Sequence, residues 1–385
     1  MTDAFAMTGQ VLVSVCGKTD LGRTRDHNED TFLVADLSTR RAGLVPSVAD
    51  HAVGPLGSLF MVADGMGGAA AGELASSLAA KHIFEHLARE WGEAEDHSPD
   101  RFALQLHDAV EHANELIHGY AQQHPDVRGM GTTVTAAGVL AGRLYLAQVG
   151  DSRAYLVRGG RAFQLTKDQS LTQRLVDAGE LTEEEAAASA RRNIILQALG
   201  PDPRVKVVLT TEPLRRGDML LLCSDGLSNV VKREELAEHV ATYEDLATLC
   251  STLIELANER GGPDNITVVA ARFVGDALQP ANGDEEPSPT LIRAPGTVTS
   301  SDELIPGLAP ARPPSVRVQR RVAAMNTPTP TPVTGTPVAE SPIAPPEGAP
   351  AAAMVEQDDE KRSIAGWLFA AVLAAVLGLW LAFWR

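Results

Sequence analysis

Five short segments of the chain place carboxylate side chains next to apolar runs. They contain Asp30 in NED, Asp64 in VADGMGG, Asp151 in VGDSR, Asp225 in CSDGL and Asp264 in GGPDNIT. Side chains at strand ends are held rigidly and can converge at one pole of a sheet. Converging carboxylates repel one another unless a cation compensates their charge. The pattern therefore indicates a cation site.

The ligand types indicate which cation and which chemistry. Hard oxygen ligands favour Mg²⁺ or Mn²⁺ over Zn²⁺, and Gly65 after Asp64 lets a backbone carbonyl approach the same site. Two such ions can activate a bridging water and hold a phosphoryl oxygen. Arg25 precedes the acidic pair Glu29 and Asp30, and its planar guanidinium suits a phosphate group.

Each segment taken singly has a simpler interpretation. An Asp-Gly pair after a strand is more often a turn than a ligand. Asp151 and Arg153 could form a surface ion pair, and Asp264 with Asn265 could be a loop or a helix stop. Five such segments in one domain make these separate explanations a poor account of the whole pattern.

The elements that must position these residues are read from the apolar periodicity. Strands are predicted over 11–15, 31–36 and 58–64, and further along in TTVTAAGVL, RLYLAQVG, RAYLVRGG, RAFQLT, VKVVLTT, DMLLLCSD and ITVVAARFV. Helical patterns cover about 70–91, 102–123, 170–190 and 243–260. Grouped helices and hairpin-like spacing favour an α+β fold with antiparallel sheets over alternating βαβ units.

The composition excludes some classes of function. The chain has 385 residues, 50 acidic and 33 Lys or Arg side chains, and a formal net charge of −17. A nucleic-acid-binding protein would normally carry a basic patch, so that class is disfavoured. Cys16, Cys223 and Cys250 form no CxxC pair, which argues against a disulfide framework or a thiolate zinc site.

The patterns divide the chain into three parts. Residues 1–275 are expected to form the folded catalytic body. Residues 276–362 hold 16 of the 24 prolines, which is typical of a disordered linker. The 21 residues of 364–384 carry no charge, enough for a helix to cross about 30 Å of hydrocarbon. We therefore expect a transmembrane helix over 363–385.

The charges around this span predict its orientation. Lys361 and Arg362 precede it and only Arg385 follows. Because positive residues favour the cytoplasmic side, we expect a single-pass C-terminal anchor in the cell inner membrane with the catalytic body in the cytoplasm. The region around Met1 lacks the basic stretch and long apolar run of a cleaved signal peptide.

The order of the acidic segments resembles the metal-dependent protein phosphatases of type 2C (PPM), in their bacterial serine/threonine form. The match covers about Val13 to Phe273. GRTRDHNED resembles the family's Gly-x-x-Arg-x-x-Asn-Glu-Asp element, VADGMGG its Asp-Gly motif, GMGTTV its Gly-Thr-Thr strand and VGDSR its Gly-Asp-Ser-Arg motif, and CSDGL and GPDNIT complete the set. The resemblance implies a four-layer αββα sandwich of two antiparallel sheets flanked by helices.

The resemblance also implies a role for each site residue. Arg25 would bind the substrate phosphate and act in catalysis with Asp30 and Asp64. The implied metal ligands are Glu29, Asp30, Asp64, the Gly65 carbonyl, Asp151, Asp225 and Asp264. They would hold two Mn²⁺ or Mg²⁺ ions, and Asp151 would contribute to a third, weaker site. Asn265 would help Asp264 to complete the first metal site.

The implied activity is hydrolysis of phosphoserine and phosphothreonine on proteins by direct attack of a metal-activated water. Phosphorylated proteins, including bacterial Ser/Thr kinases and their substrates, would be the partners. Two alternatives stay open: a catalytically weak phosphoprotein-binding scaffold, and a phosphatase that acts on an anti-sigma-factor antagonist. The presence of Asp64, Asp225 and Asp264 disfavours the scaffold, and the sequence indicates no sensor domain of the kind usual in the second class.

Two positions depart from the family pattern. Met66 follows Gly65 where many eukaryotic members carry a His as candidate general acid, so the proton donor to the leaving group is unassigned. Residues 167–200 resemble the family's mobile flap, and Gln169 stands where relatives often have His. This difference could alter substrate preference.

A separate pattern, HIFEH over 82–86, spells the HxxEH sequence of one class of zinc peptidase. The sequence indicates no third zinc ligand, and His82 and His86 both flank the apolar stripe of the predicted helix. A solvated helix flank is therefore favoured over a zinc site.

Overall fold

The computed structural model describes residues 9–43 and 49–293, which form two antiparallel β-sheets flanked by helices. The described residues contain fourteen strands, which are in chain order β1 (Leu12–Asp20), β2 (Asp30–Asp36), β3 (Arg41–Ala42), β4 (Ala49–Ala52), β5 (Ser58–Met66), β6 (Gly131–Thr132), β7 (Val134–Leu140), β8 (Arg143–Val149), β9 (Arg153–Arg158), β10 (Arg161–Gln164), β11 (Val208–Pro213), β12 (Met219–Cys223), β13 (Ile266–Val274) and β14 (Thr290–Leu291). One sheet has the order β10-β9-β12-β13-β1-β4. The other has the order β14-β11-β8-β7-β5-β2-β3, with β6 paired to β5.

The central core lies between the two sheets. Phe60 of β5 and Phe273 of β13 come from different sheets, and their ring centroids are 6.4 Å apart. In β12, Leu220 and Leu222 join this core, whereas Leu221 joins the core under the helices on the other face. Because both faces are buried, such strands read in the sequence as continuous apolar runs rather than as alternating ones.

Helices cover the outer face of each sheet. The α-helices in the described part of the chain are α1 (Ala69–His86), which continues as a π-helical turn over Leu87–Trp91, α2 (Pro99–Gln123), α3 (Leu171–Asp177), α4 (Glu183–Ala188), α5 (Asp225–Ser228), α6 (Arg233–Thr242) and α7 (Leu246–Glu259). Helices α1 and α2 bury Ile83 and Leu106 in one outer core, and α6 and α7 bury Leu236 and Leu253 in the other. The predicted α+β sandwich is confirmed in these four layers.

Most predicted strands and helices are confirmed, and the departures have local causes. The single helix predicted over 170–190 is wrong: α3 and α4 are separate, and the chain turns between them at Gly179 with a φ of 72°. Helix α6 was not predicted because its sequence REELAEHVAT offers only two large apolar residues and so shows little apolar periodicity. The segment between Leu37 and Leu59 contributes β4, which was not predicted, to the edge of the sheet beside β1.

The folded body extends beyond the predicted boundary at residue 275. Leu278 is buried, Glu285 pairs with Arg215 at 2.6 Å, and β14 pairs with β11. Residues 276–293 therefore pack onto the sandwich. The composition assigned them to the linker because proline content gives no information about a few specific contacts with the sandwich.

The remaining part of the predicted linker and the predicted transmembrane helix over 363–385 lie outside the described residues. Within 9–43 and 49–293, no helix is both long and apolar enough to cross a membrane.

Candidate metal centre

The five aspartates selected from the sequence sit at corresponding strand ends. Asp30 begins β2 and Asp64 lies near the end of β5, and the two are register partners across the antiparallel pair. Asp225 follows β12 and Asp264 precedes β13, its antiparallel neighbour. Asp151 follows β8. Antiparallel pairing brings the end of one strand beside the start of the next, so these residues gather at one edge of the sandwich.

Asp30 connects the two sheets. Its Oδ2 accepts hydrogen bonds from the hydroxyls of Ser224 and Thr267, each at 2.7 Å. Thr267 lies in β13 of the opposite sheet, and Ser224 directly follows β12 of that sheet. The two hydroxyls therefore fix the orientation of the Asp30 carboxylate. Sequence reasoning missed both hydroxyls, although each lies within three residues of a predicted site aspartate.

The remaining carboxylate oxygens provide the donor set of a metal site. The Oδ1 atoms of Asp30, Asp151 and Asp225 are buried and have no hydrogen-bond partner among the described residues. A buried polar atom without a partner is costly and needs an explanation. Three anionic oxygens at one sheet edge fit a hard divalent cation, so these residues suit Mg²⁺ or Mn²⁺.

The electrostatics of the centre agree with this donor set. Burial raises the pKa of Asp30 to about 7, of Asp225 to about 6 and of Asp151 to about 8. Burial also raises the pKa of Asp64 well above its ordinary value, and the charges of Asp30 and Asp225 raise it further. Packing several acids without solvent disfavours their anionic forms, and a bound cation would reverse that preference.

Gly65 and Glu29 form the backbone side of the centre. The Gly65 amide donates to the Glu29 carbonyl at 3.1 Å. A Cβ on Gly65 would overlap the carbonyl of Gly72, and a Cβ on Gly72 would overlap the Glu29 carboxylate. The first turn of α1 therefore packs directly against the centre, which requires glycine at both positions. Burial raises the pKa of Glu29 as well.

Asn265 holds the loop that carries Arg25. Its Oδ1 accepts from the Glu29 amide at 2.8 Å, and its Nδ2 donates to the carbonyls of Leu21 and His27, each at 2.9 Å. Asn265 is thus fully engaged with backbone groups. These contacts position the loop, and the expected part of Asn265 in completing the metal site stays a prediction.

Arg25 lies at the solvent-facing rim of the centre. Its guanidinium Nη2 is 2.6 Å from Asp264 Oδ2, and 49% of its side chain is exposed. The hydrogen bond to Asp264 raises the pKa of Arg25. The structure thus places a permanent positive charge directly beside the carboxylates, where it can also meet solvent and an incoming anion.

Asp151 is tied to the flap through Gln169. The Gln169 side-chain oxygen accepts from the Gly150 backbone amide, and the Gln169 backbone amide donates to the Gly150 carbonyl, both at 2.9 Å. The surface ion pair considered for Asp151 and Arg153 is not formed. Arg153 instead pairs with Asp168 at 2.7 Å, so both Asp168 and Gln169 anchor the start of the flap beside the turn that carries Asp151.

A cavity of about 900 Å³ opens beside the centre. It lies between the flap and the start of α6, and its lining includes Asp151 and Asp225 together with Arg192, Lys232 and Arg233. Its volume is that of a typical ligand site. The cavity therefore offers room for the part of a substrate that surrounds a reacting phosphate.

Comparison with known proteins decides the family. Residues 48–264 match the protein phosphatase 2C family. The chain belongs to this family. The serine/threonine phosphatase stp of Listeria innocua is 36% identical over 253 residues, which covers 66% of this chain and 92% of that protein. The two-sheet sandwich and the acidic centre of this chain thus agree with the fold of this family and with the phosphatase activity named for its relatives.

A second relative comes from a mycobacterium, and a solved structure similar to this chain contains bound metal ions. The serine/threonine protein phosphatase PstP of Mycobacterium tuberculosis is 42% identical over 233 residues, covering 60% of this chain and 43% of that protein. Its crystal structure matches with a TM-score of 0.57 at 37% identity, over 70% of this chain and 99% of that one. Another structure holds the PstP catalytic domain with two manganese ions, with a TM-score of 0.55 at 37% identity, over 69% and 99%.

Proposed function

We propose that this phosphatase 2C chain is a metal-dependent protein serine/threonine phosphatase that hydrolyses phosphoserine and phosphothreonine on proteins. The observation that carries the proposal is the set of buried carboxylate oxygens of Asp30, Asp151 and Asp225 that have no partner among the described residues. Two Mn²⁺ or Mg²⁺ ions bound there would make water a better nucleophile and offset phosphoryl charge.

The chain's own residues have separate tasks in this proposal. Asp30, Asp64, Asp225 and Asp264 hold the ions, with Glu29 and the Gly65 carbonyl beside them, and Asp151 serves a third, weaker position. Ser224 and Thr267 keep the Asp30 carboxylate in one orientation through their 2.7 Å hydrogen bonds.

Arg25 orients the phosphate in this proposal. Its guanidinium is half exposed and already lies against the anionic edge of the centre, and a planar guanidinium can contact two phosphate oxygens at once. The cavity beside Asp151 and Asp225 takes the polypeptide on either side of the phosphorylated residue.

Turnover of a phosphothreonine peptide by the full chain tests the activity. We expect hydrolysis with Mn²⁺ or Mg²⁺, loss of activity after complete chelation with EDTA, and recovery when Mn²⁺ is restored. The unphosphorylated peptide is the blank, and a metal-free preparation dialysed with Mn²⁺ controls for irreversible damage. Undiminished turnover after complete metal removal would overturn the proposal.

We further propose that residues 363–385 anchor the enzyme in the inner membrane with the catalytic body in the cytoplasm. The uncharged stretch 364–384 is long enough to cross, and Lys361 with Arg362 precedes it. The proline-rich segment between the body and this stretch would let the active site reach membrane-associated phosphoproteins, such as Ser/Thr kinases and their substrates.

A further inference from the structure

Helix α2 binds the end of the flap through a buried amide side chain. Asn114 lies on α2 and is 1% exposed. Its Oδ1 accepts from the Gly200 amide at 2.8 Å, and its Nδ2 donates to the Asp202 carbonyl at 3.1 Å. A buried amide side chain needs partners for both its oxygen and its nitrogen, and the flap backbone supplies them. Asn114 therefore fixes the chain at the point where the flap returns to the body.

His118 contacts the same residue of the flap. It lies one helical turn after Asn114, so the two side chains share a face of α2. His118 Nδ1 is 2.8 Å from the Gly200 carbonyl oxygen. Because a carbonyl oxygen can only accept, His118 Nδ1 carries the proton of this hydrogen bond. Both backbone polar groups of Gly200 are thus bonded to side chains of one helix.

The anchored end of the flap lies one strand away from the metal centre. Leu199 and Thr132 exchange two backbone hydrogen bonds, of 2.9 and 3.1 Å. Thr132 in turn pairs with Gly65 across β6 and β5, and its hydroxyl lies 3.0 Å from the Asp64 carbonyl oxygen. The end of the flap is therefore fixed relative to the strand that carries Asp64.

The two ends of the flap also bond to each other. The Leu171 amide donates to the Ile194 carbonyl at 2.9 Å, and the Leu196 amide donates to the Gln169 carbonyl at 2.8 Å. Residues 167–171 and 194–202 thus form a paired base of the flap, and α3 and α4 lie between them in the chain.

The helices beyond this base have little burial of their own. In α3 only Thr172 is buried, and α4 buries none of its residues. Glu183 and Glu184 of α4, and Arg192 after it, nevertheless line the cavity beside the metal centre. Packing contributes little to placing an element that has no buried face. The position of α4 at the cavity therefore depends on how the base of the flap is held.

We propose that Asn114 and His118 are positioning residues for substrate binding, which hold the base of the flap and thereby set the shape of the cavity. The inference rests on the proposed phosphatase activity, in which the cavity takes the polypeptide around the phosphate. Both residues act through the flap rather than on the metal ligands. Their loss should weaken the binding of a phosphopeptide and spare a small phosphomonoester that needs only the metal centre.

Steady-state kinetics of the full chain at saturating Mn²⁺ test the proposal with two substrates. In His118→Ala we expect KM for a phosphothreonine peptide to rise by about three-fold or more, the loss typical of one hydrogen bond, with little change in kcat. We expect kcat/KM for p-nitrophenyl phosphate to change by less than about two-fold. His118→Asn should restore KM for the peptide, since the Asn amide can donate from nearly the place of the histidine Nδ1. His112→Ala is the matched control, because His112 is a partly exposed histidine of the same helix whose ring contacts His86.

Hydrogen–deuterium exchange measures the anchor without catalysis. Asn114→Ala removes the acceptor of the Gly200 amide, so the segment 199–202 should exchange about ten-fold faster than in the unaltered protein. His118→Ala should also accelerate exchange there, and His112→Ala should not. His118 is partly exposed, so its variant tests the proposal independently of the buried Asn114.

Three results would overturn the proposal: an unchanged KM for the peptide in both variants, unchanged exchange in both, or an equal loss of kcat/KM on the peptide and on p-nitrophenyl phosphate. If the unaltered protein turned over neither substrate, the proposed activity would fail instead, and the exchange rates alone would decide whether Asn114 and His118 hold the flap.

Discussion

At the residue scale, the centre is a set of acids whose burial is unfavourable without a cation. Strand-end spacing in the sequence was sufficient to select the five aspartates, because antiparallel neighbours must meet at one edge. It could not assign Ser224, Thr267 or the loop-holding role of Asn265. Those contacts depend on how the two sheets face each other, which no local pattern records.

Arg25→Ala should chiefly raise KM, by about ten-fold, because a charge-assisted hydrogen bond to phosphate is lost while the carboxylates remain. Steady-state kinetics on a phosphothreonine peptide at saturating Mn²⁺ measure this change. Arg23→Ala is a suitable control, since Arg23 is an exposed arginine two positions earlier in the same loop. An unchanged KM in Arg25→Ala would refute its phosphate-binding role.

Mn²⁺ affinity should rise with pH between about 6 and 8. The pKa values of Asp225, Asp30 and Asp151 are raised to about 6, 7 and 8, so protons occupy these groups at the lower pH and must leave when the ion binds. We expect the Kd for Mn²⁺, measured by titration calorimetry at both pH values, to fall by about ten-fold or more. A Kd that does not vary with pH would show that the acids are already ionised without the metal.

At the element scale, the long strands could be predicted from the sequence, whereas short strands such as β14 could not. The long runs of β5, β12 and β13 are apolar because each is covered on both faces. In contrast, β14 has two exposed residues and gains its position only by pairing with β11. Its presence follows from a tertiary contact rather than from local propensity.

A chain that ends at residue 275 should be less stable than one that ends at residue 293. The shorter chain loses the burial of Leu278, about 2 kcal/mol, together with the Arg215–Glu285 ion pair and the pairing of β14. We expect its Tm to be lower by about 5 °C. Thermal melts of both truncated chains, with the full chain as reference, make the comparison. Equal melting temperatures would show that residues 276–293 contribute nothing to stability.

At the scale of the whole molecule, the fold explains how the metal centre is assembled. The sequence that follows the folded body predicts a location at the membrane. The sandwich brings acids from both sheets to one edge, and this arrangement agrees with membership of the phosphatase 2C family. The predicted anchor rests on a different argument, because it depends on hydrophobic length and flanking charge rather than on the family.

Deletion of residues 364–385 should release an active enzyme from the membrane. The full chain should fractionate with membranes, whereas the shortened chain should appear in the soluble fraction with an unchanged kcat on a phosphothreonine peptide. Protease added to intact cells should spare the catalytic body, and protease added to inverted vesicles should detach it. Removal of the body by external protease would show that the orientation is reversed.

The central claim is that the strand-end carboxylates hold the ions on which turnover depends. The most direct measurement is kcat of Asp225→Asn at saturating Mn²⁺, beside Asp126→Asn as control, since Asp126 is an exposed aspartate in a turn away from the centre. We expect kcat to fall by roughly 100-fold or more in Asp225→Asn and to stay unchanged in the control. A near-normal kcat in Asp225→Asn at saturating Mn²⁺ would contradict the assignment of this centre as the active site.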